Sequence, residues 1–163
     1  MNLPLTVLVL CTGNSARSIL GEALFNHLGR GRFRAYSAGS QPTGHVHPLA
    51  LRTLAAHGLA SEGYVSKSWS TFAAADAPSI DIVITVCSSA AGEACPIWRG
   101  QPLRGHWGVD DPAAATGSEV DRLAAFERAY ALLRARVEAL TALPVETMDA
   151  PALEQALREI GTR

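Results

Sequence analysis

An unbroken apolar, partly β-branched run, Leu5-Thr6-Val7-Leu8-Val9-Leu10, passes directly into Cys11-Thr12-Gly13-Asn14-Ser15-Ala16-Arg17-Ser18. A run of this length without polar alternation predicts a strand buried on both faces, as in a parallel sheet. Behind the small-residue loop, Ile19, Leu20, Ala23, Leu24, Phe25 and Leu28 recur at spacings of three and four, and Gly29 with Gly31 ends the pattern. That periodicity predicts a helix over 19–28. Strand, tight loop and helix in immediate succession commit the chain to an α/β fold, in which helices must cover the sheet.

The rest of the chain continues the alternation. A short strand is expected around Arg34–Ala38, then a turn-rich segment from Gly39 to Pro48, then a helix through Leu49, Leu51, Leu54 and Ala55 that ends near Gly58. Ile80–Val86 reads as the next strand, and its end carries Cys87 as the first strand's end carries Cys11. Residues 90–105 read as loop, with Cys95-Pro96 inside it, and Arg104–Val109 as a short strand running into Asp110-Asp111-Pro112. Ser118, with Asp121 three residues on, is a cap signal for a long helix. Its expected apolar face holds Val120, Leu123, Ala124, Phe126, Tyr130, Leu133, Val137 and Leu140. A last helix is expected over Pro151–Ile160, with no role evident from the sequence. There is no internal repeat and no linker, so residues 1–163 are expected to form a single α/β domain on a four-stranded, mainly parallel sheet.

At 163 residues, 48% hydrophobic and 18% charged, the chain has ample material for a core and none of the signature of disorder. A net charge of −1 leaves no positive field for a nucleic acid. The N-terminus lacks a basic region, and the run to Leu10 is too short for a signal core or a membrane span, so a cytoplasmic protein is expected. In a reducing compartment the three cysteines are not a disulfide framework. Each is a buried hydrophobe, a ligand or a reagent.

Cys11 stands where ligands gather in open parallel sheets, beyond the carboxyl end of a strand. Thr12 to Arg17 can turn successive backbone N–H groups toward one centre, and the following helix points its N-terminus at the same place. The result is a cradle for a tetrahedral oxyanion. Gly13, Ser15 and Ala16 are small enough for close backbone approach, Asn14 tolerates a left-handed conformation, and Arg17 can close the ring with a bidentate fork. The same field favours the thiolate of Cys11, and Ser18 is placed to donate a hydrogen bond to it. The alternative is a buried strand-end cysteine beside an ordinary turn.

Displacing a poor oxygen leaving group calls for a proton donor opposite the nucleophile. Asp111, stiffened by Pro112, is the candidate, against the plainer reading of an Asp-Pro turn. Cys87 and Cys95 are separated by seven mostly small residues, a segment able to bend as a thiol relay would require; both can also be structural cysteines. No C-x2-C pair exists, and His45 and His47 are remote in sequence, so no metal site is expected. Those histidines are expected to cap or pack a turn.

The Cys11–Ser18 segment resembles the active-site loop of the low-molecular-weight protein tyrosine phosphatases and of the arsenate reductases that share their fold. Further matches are Ser37-Ala38-Gly39-Ser40, Val46-His47-Pro48, Ser66-Lys67-Ser68-Trp69, Val86-Cys87 with Gly92-Glu93-Ala94-Cys95-Pro96-Ile97-Trp98, and His106-Trp107-Gly108 with Asp111-Pro112. With these the chain resembles the arsenate reductases over nearly its whole length. The resemblance implies a three-layer sandwich, Cys11 as nucleophile, Asp111 as acid, arsenate as substrate, and a relay through Cys87 and Cys95. It implies no tightly bound cofactor and an external reductant, thioredoxin or glutathione with glutaredoxin. Cys87 and Cys95 stand one residue farther apart than in thioredoxin-linked members, which leaves the reductant open. A phosphatase is the second reading, but Ala113-Ala114-Ala115-Thr116-Gly117 follows Asp111-Pro112 where phosphatases of the family usually carry aromatic residues. A non-catalytic oxyanion-binding or redox-sensing module is the third.

Overall fold

The computed structural model describes residues 2–87, 98 and 100–163. Strands β1 (Leu5–Cys11), β2 (Phe33–Gly39), β3 (Ile82–Thr85) and β4 (Leu103–His106) form one sheet in the order β2-β1-β3-β4. Every pairing is parallel. The helices are α1 (Arg17–Leu28), α2 (Pro48–Ala56), α3 (Glu119–Thr141) and α4 (Ala150–Gly161). None of these is long and apolar enough to cross a membrane.

The central place of β1 explains its composition. Val7, Leu8, Val9 and Leu10 are all 0–1% exposed, because strands flank β1 on both edges and side chains cover both faces. Val7 and Val9 lie in register with Ile82 and Ile84, and all four point into the larger core with Leu20 and Leu24 of α1, Leu54 of α2, Phe126 and Leu133 of α3, and Leu157 of α4. Leu8 and Leu10 point the other way, into a smaller core with Ile80 and Val83, closed by Phe72 from a 3-10 turn (Trp69–Ala73) and by Trp98. The layers are therefore unequal. Fully burying each such side chain contributes on the order of 1.5–3 kcal/mol.

β1 and β2 run slightly past the segments that signal them, whereas β3 and β4 are shorter than theirs, but backbone pairing continues past the ends of these two. Asp81 N–H donates to Thr6 O and Val86 N–H to Leu10 O, on either side of β3. Beyond β4, Trp107 N–H donates to Thr85 O and Val109 N–H to Val86 O, so the pairing reaches the Asp110-Asp111 loop. In α3 the Ser118–Asp121 signal is a complete capping box, each side chain accepting the other's backbone N–H. The expected apolar face needs one correction: Val120 is 76% exposed and Ala124 is exposed, while Phe126, Tyr130, Leu133, Val137 and Leu140 are buried. At about 100° per residue, Val120 and Ala124 lie about 120° and about 160° round the helix from Phe126, off the buried face.

α4 packs on β4. Its Leu153, Leu157 and Ile160 are buried, and the Trp107 indole N–H donates to Leu157 O at 2.9 Å. After β1 the chain steps to β2 on one side, and β3 joins β1 on the other. The crevice between the carboxyl ends of β1 and β3 is therefore the topological switch point where ligands of open parallel sheets sit. Cys11 ends β1 at that crevice, and Cys87 follows β3 into it.

Candidate active site

The loop from Thr12 to Ala16 is held from outside. Gln41 N–H donates to Thr12 O, Thr43 N–H to Gly13 O, and His47 N–H to Ser15 O, at 2.9–3.0 Å. The Ser66 hydroxyl adds a second bond to Gly13 O at 3.1 Å. Peptides are trans and planar, so a carbonyl turned outward turns the next residue's N–H inward. This aims the amides of Gly13, Asn14 and Ala16 at the space above Cys11, and Asn14 N–H does reach Cys11 Sγ, at 3.3 Å. Asn14 takes the turn at φ 45°, the left-handed region its side chain tolerates. Gly39, at the end of β2, lets the loop come this close: a Cβ there would overlap Thr12 O and sit 3.0 Å from Asn14 N.

Beneath the sulfur runs a directional hydrogen-bond chain. Asn14 Nδ2 donates to Ser18 Oγ at 2.8 Å and to Ser37 Oγ at 3.0 Å, and Ser37 passes its proton's bond to Glu22 Oε1 at 2.5 Å. Ser18 Oγ, which accepts from Asn14, lies 2.9 Å from Cys11 Sγ, and its O–H can donate to that sulfur when it is a thiolate. Asn14 Oδ1 in turn accepts Lys67 N–H at 2.9 Å, and the Lys67 ammonium lies 4.0 Å from Glu22. Asn14, Ser18 and Ser37 are fully buried. The sequence marks Ser18 and Asn14 but gives no signal for Glu22, whose contact with Ser37 spans 15 residues.

Burial holds the Glu22 carboxyl above its ordinary value of 4.5, opposed by the Ser37 hydrogen bond and by Lys67. Burial likewise pushes the Lys67 ammonium down. A folded value above the unfolded one means that the stability contributed by protonated Glu22 is present below the ordinary value and is lost as pH rises through the folded one. Glu22→Gln is therefore expected to gain in urea midpoint relative to the parent as pH is raised from the ordinary carboxylate value upward. A constant difference across that range would contradict the assignment.

Above the sulfur is a cavity of about 240 Å³ lined by Cys11, Gly13, Ser15, Ala16, Arg17, Thr43, His45, His47, Asp111 and Ala113. Arg17 opens α1, and its Nη1 donates to Val109 O at 2.9 Å while Nη2 stands 3.8 Å from the Asp111 carboxylate. Asp111 Oδ1 accepts Ala113 N–H at 3.0 Å and so caps the short turn Pro112–Ala114, while the carboxyl also borders the cavity. The turn-capping and cavity-facing readings of Asp111 are thus both realised. His47 caps α2, its Nδ1 accepting Leu49 N–H at 3.1 Å, and its ring packs on Phe126. Burial, with Arg122 nearby, pushes the His47 imidazole below its ordinary range; with Nδ1 accepting, the neutral ring carries its proton on Nε2. That His45 and His47 also line the cavity is not legible from the sequence, since the β2–α2 connection folds over the loop only in three dimensions. Among the described residues, no cluster of three His, Cys, Asp or Glu side chains is placed to hold a metal ion.

The structure thus gathers Cys11, Gly13, Ser15, Ala16, Arg17 and Asp111 around one cavity, with Asn14 and Ser18 below it. Thr12 turns its side chain aside: its Oγ1 lies 3.4 Å from the sulfur of Cys87. Cys11 and Cys87 are both buried thiols. Cys95 lies outside the described residues.

The site is thus a thiol at the head of an amide cradle in an α/β fold, with an arginine and a carboxyl across the cavity. The chain belongs to the low molecular weight phosphotyrosine protein phosphatase family, which its residues 6–152 match. Within that family it is similar to an arsenate reductase of Bacillus licheniformis, 38% identical over 76% of this chain and 85% of that one. An arsenate reductase of Shouchella clausii is 34% identical over 79% of this chain and 89% of the relative. A solved structure of an arsenate reductase in its phosphate-binding state superposes with a TM-score of 0.69 at 27% identity, covering 85% of this chain and 97% of that one.

Proposed function

We propose that this chain reduces arsenate to arsenite, with Cys11 as the nucleophile. The observation that carries the proposal beyond the family is the second thiol: Cys87 follows β3 to the same crevice and sits against Thr12, the residue after the nucleophile. The similarity to arsenate reductases supports the same reading.

Arsenate has the charge and shape of phosphate and suits a cradle of amides closed by Arg17. The loop amides from Thr12 to Arg17 and the Arg17 guanidinium hold its oxygens, and the Cys11 thiolate, with Ser18 donating to it, attacks arsenic. The S–As bond forms, one As–O bond breaks, and Asp111 protonates the departing oxygen, which leaves as water. Cys87, as thiolate, then attacks Cys11 sulfur. The S–S bond forms and the S–As pair stays on arsenic, which departs as arsenite; the two sulfurs have supplied the two electrons. Cys95 attacks Cys87, moving the disulfide to Cys87–Cys95 and returning Cys11 as a thiol. An external thiol reductant, thioredoxin or glutathione with glutaredoxin, reduces that disulfide. A cytoplasmic setting keeps the thiols available for this cycle.

The family relation favours a second reading, in which water hydrolyses a Cys11–phosphate and Cys87 is idle. The two separate on one pair of assays: arsenite release and p-nitrophenyl phosphate hydrolysis by the reduced protein. Arsenite release establishes the reductase, whereas ester hydrolysis without arsenite establishes the phosphatase. Oxyanion binding with neither activity would leave a binding or redox-sensing module. Asp111→Asn keeps the turn cap but removes the acid, and is expected to lower the rate of arsenite formation by about 10²-fold or more with little change in KM. An unchanged rate would remove Asp111 from the mechanism.

A further inference from the structure

Two arginines grip consecutive carbonyls just ahead of Asp111. Arg17 Nη1 donates to Val109 O, and Arg136 Nη1 donates to Gly108 O, both at 2.9 Å. Arg17 faces the cavity and must also serve the anion. Arg136 does not touch the cavity: it projects from α3, is 6% exposed, and sits with its Nη2 bonded to Arg163 O at 2.9 Å and to Gly161 O at 3.5 Å. Among the described residues no Asp or Glu side chain pairs with it, and its buried Nε has no hydrogen-bond partner. A buried cation with one donor left unused is a costly arrangement for simple stapling.

The carbonyls that hold Arg136 belong to the end of α4 and the residues after it. The same segment receives the Trp107 indole N–H at Leu157 O, and Gly161 packs so closely on His106 that a Cβ there would overlap its carbonyl. The family match ends at residue 152, so most of α4 lies beyond it. The 104–109 backbone is thereby tied to the C-terminal segment at Trp107 and, through Arg136, at Gly108.

We propose that Arg136 is a positioning residue for the reaction: supported by α4, it fixes the Gly108 carbonyl and so sets the approach of Asp111 to the leaving oxygen whether or not Arg17 is engaged with the anion. This rests on Asp111 being the acid. The grip of Arg17 on Val109 is shared with the substrate, whereas that of Arg136 on Gly108 is not. Misplacing an acid by about 1 Å is enough for a large loss in rate.

The test is a double-mutant cycle on the full chain, reading the single-turnover rate of arsenite formation, the arsenate concentration for half-maximal rate, and the rate of Cys11 alkylation by iodoacetamide. Arg136→Gln is expected to lower the maximal rate roughly tenfold, to leave the half-maximal concentration within roughly twofold, and to leave alkylation unchanged. In an Asp111→Asn background it is expected to cost nothing further, because both changes act through one group. Multiplicative losses, an unchanged rate in the single variant, or a loss that appears as weaker arsenate binding or slower alkylation would overturn the proposal. If Arg136→Gln does not fold, Arg136→Lys, which keeps the charge and loses the guanidinium fork, is read the same way. An Asp111→Asn variant with the parent rate would overturn the assignment of the acid and this proposal with it, whereas a slow Asp111→Asn with a normal Arg136→Gln overturns this proposal alone.

Discussion

Cys11→Ser is expected to bring arsenite formation down to the protein-free rate, a loss of about 10⁴-fold or more, while the protein stays folded and still binds phosphate. Serine preserves the size of the side chain and can keep both contacts of the sulfur, with the Asn14 amide and the Ser18 hydroxyl. The cradle therefore persists. What is lost is the ionised nucleophile, since a serine hydroxyl at neutral pH stays protonated. Phosphate binding followed by calorimetry separates the two losses. Residual arsenite formation at a tenth of the parent rate would show that another thiol starts the reaction.

Cys87→Ser is expected to stop the reaction one step later, with an effect nearly as large. Cys11 still attacks arsenic, but no neighbouring thiol takes over its sulfur, so arsenic stays on the protein and free arsenite falls by about 10³-fold or more in the absence of added thiols. Cys95→Ser is expected to differ in kind: it releases one equivalent of arsenite and then stops as a Cys11–Cys87 disulfide. Quenching reduced protein with arsenate at intervals and counting free arsenite and thiols distinguishes the variants. Undiminished arsenite from Cys87→Ser would remove the relay and assign the second thiol to an external donor. The ordering is suggested by the 3.4 Å contact of Cys87 with the hydroxyl of Thr12, the residue that follows the nucleophile.

Much of this arrangement is legible in the sequence, because local signals write it. The apolar run at 5–10 has no polar residue to offer solvent and becomes the central strand, flanked by β2 and β3. Ser118 and Asp121 form the capping box their spacing announces, and Asn14 occupies the left-handed turn. The misplaced features depend on contacts distant in sequence. Val120 looks apolar on a wheel, but the face of α3 is chosen by where α1 and α2 lie, and it is left exposed. Glu22 looks like an ordinary surface carboxyl of α1 until β2 brings Ser37 over it. His47 caps α2 as a local reading suggests, yet its place on the cavity wall follows from His47 N–H binding Ser15 O across 32 positions of chain. Arg136 is one of 13 arginines in the sequence, and only the approach of β4 and α4 to α3 singles it out.

The most direct measurement is the stoichiometry of a single cycle: fully reduced protein mixed with arsenate, with no external reductant, followed by counts of arsenite released and thiols remaining. The account predicts one arsenite per chain and the loss of two of the three thiols as one disulfide, with Cys11 again the free one. No arsenite, with all three thiols intact and p-nitrophenyl phosphate hydrolysed by the same sample, would contradict it and make the chain a phosphatase.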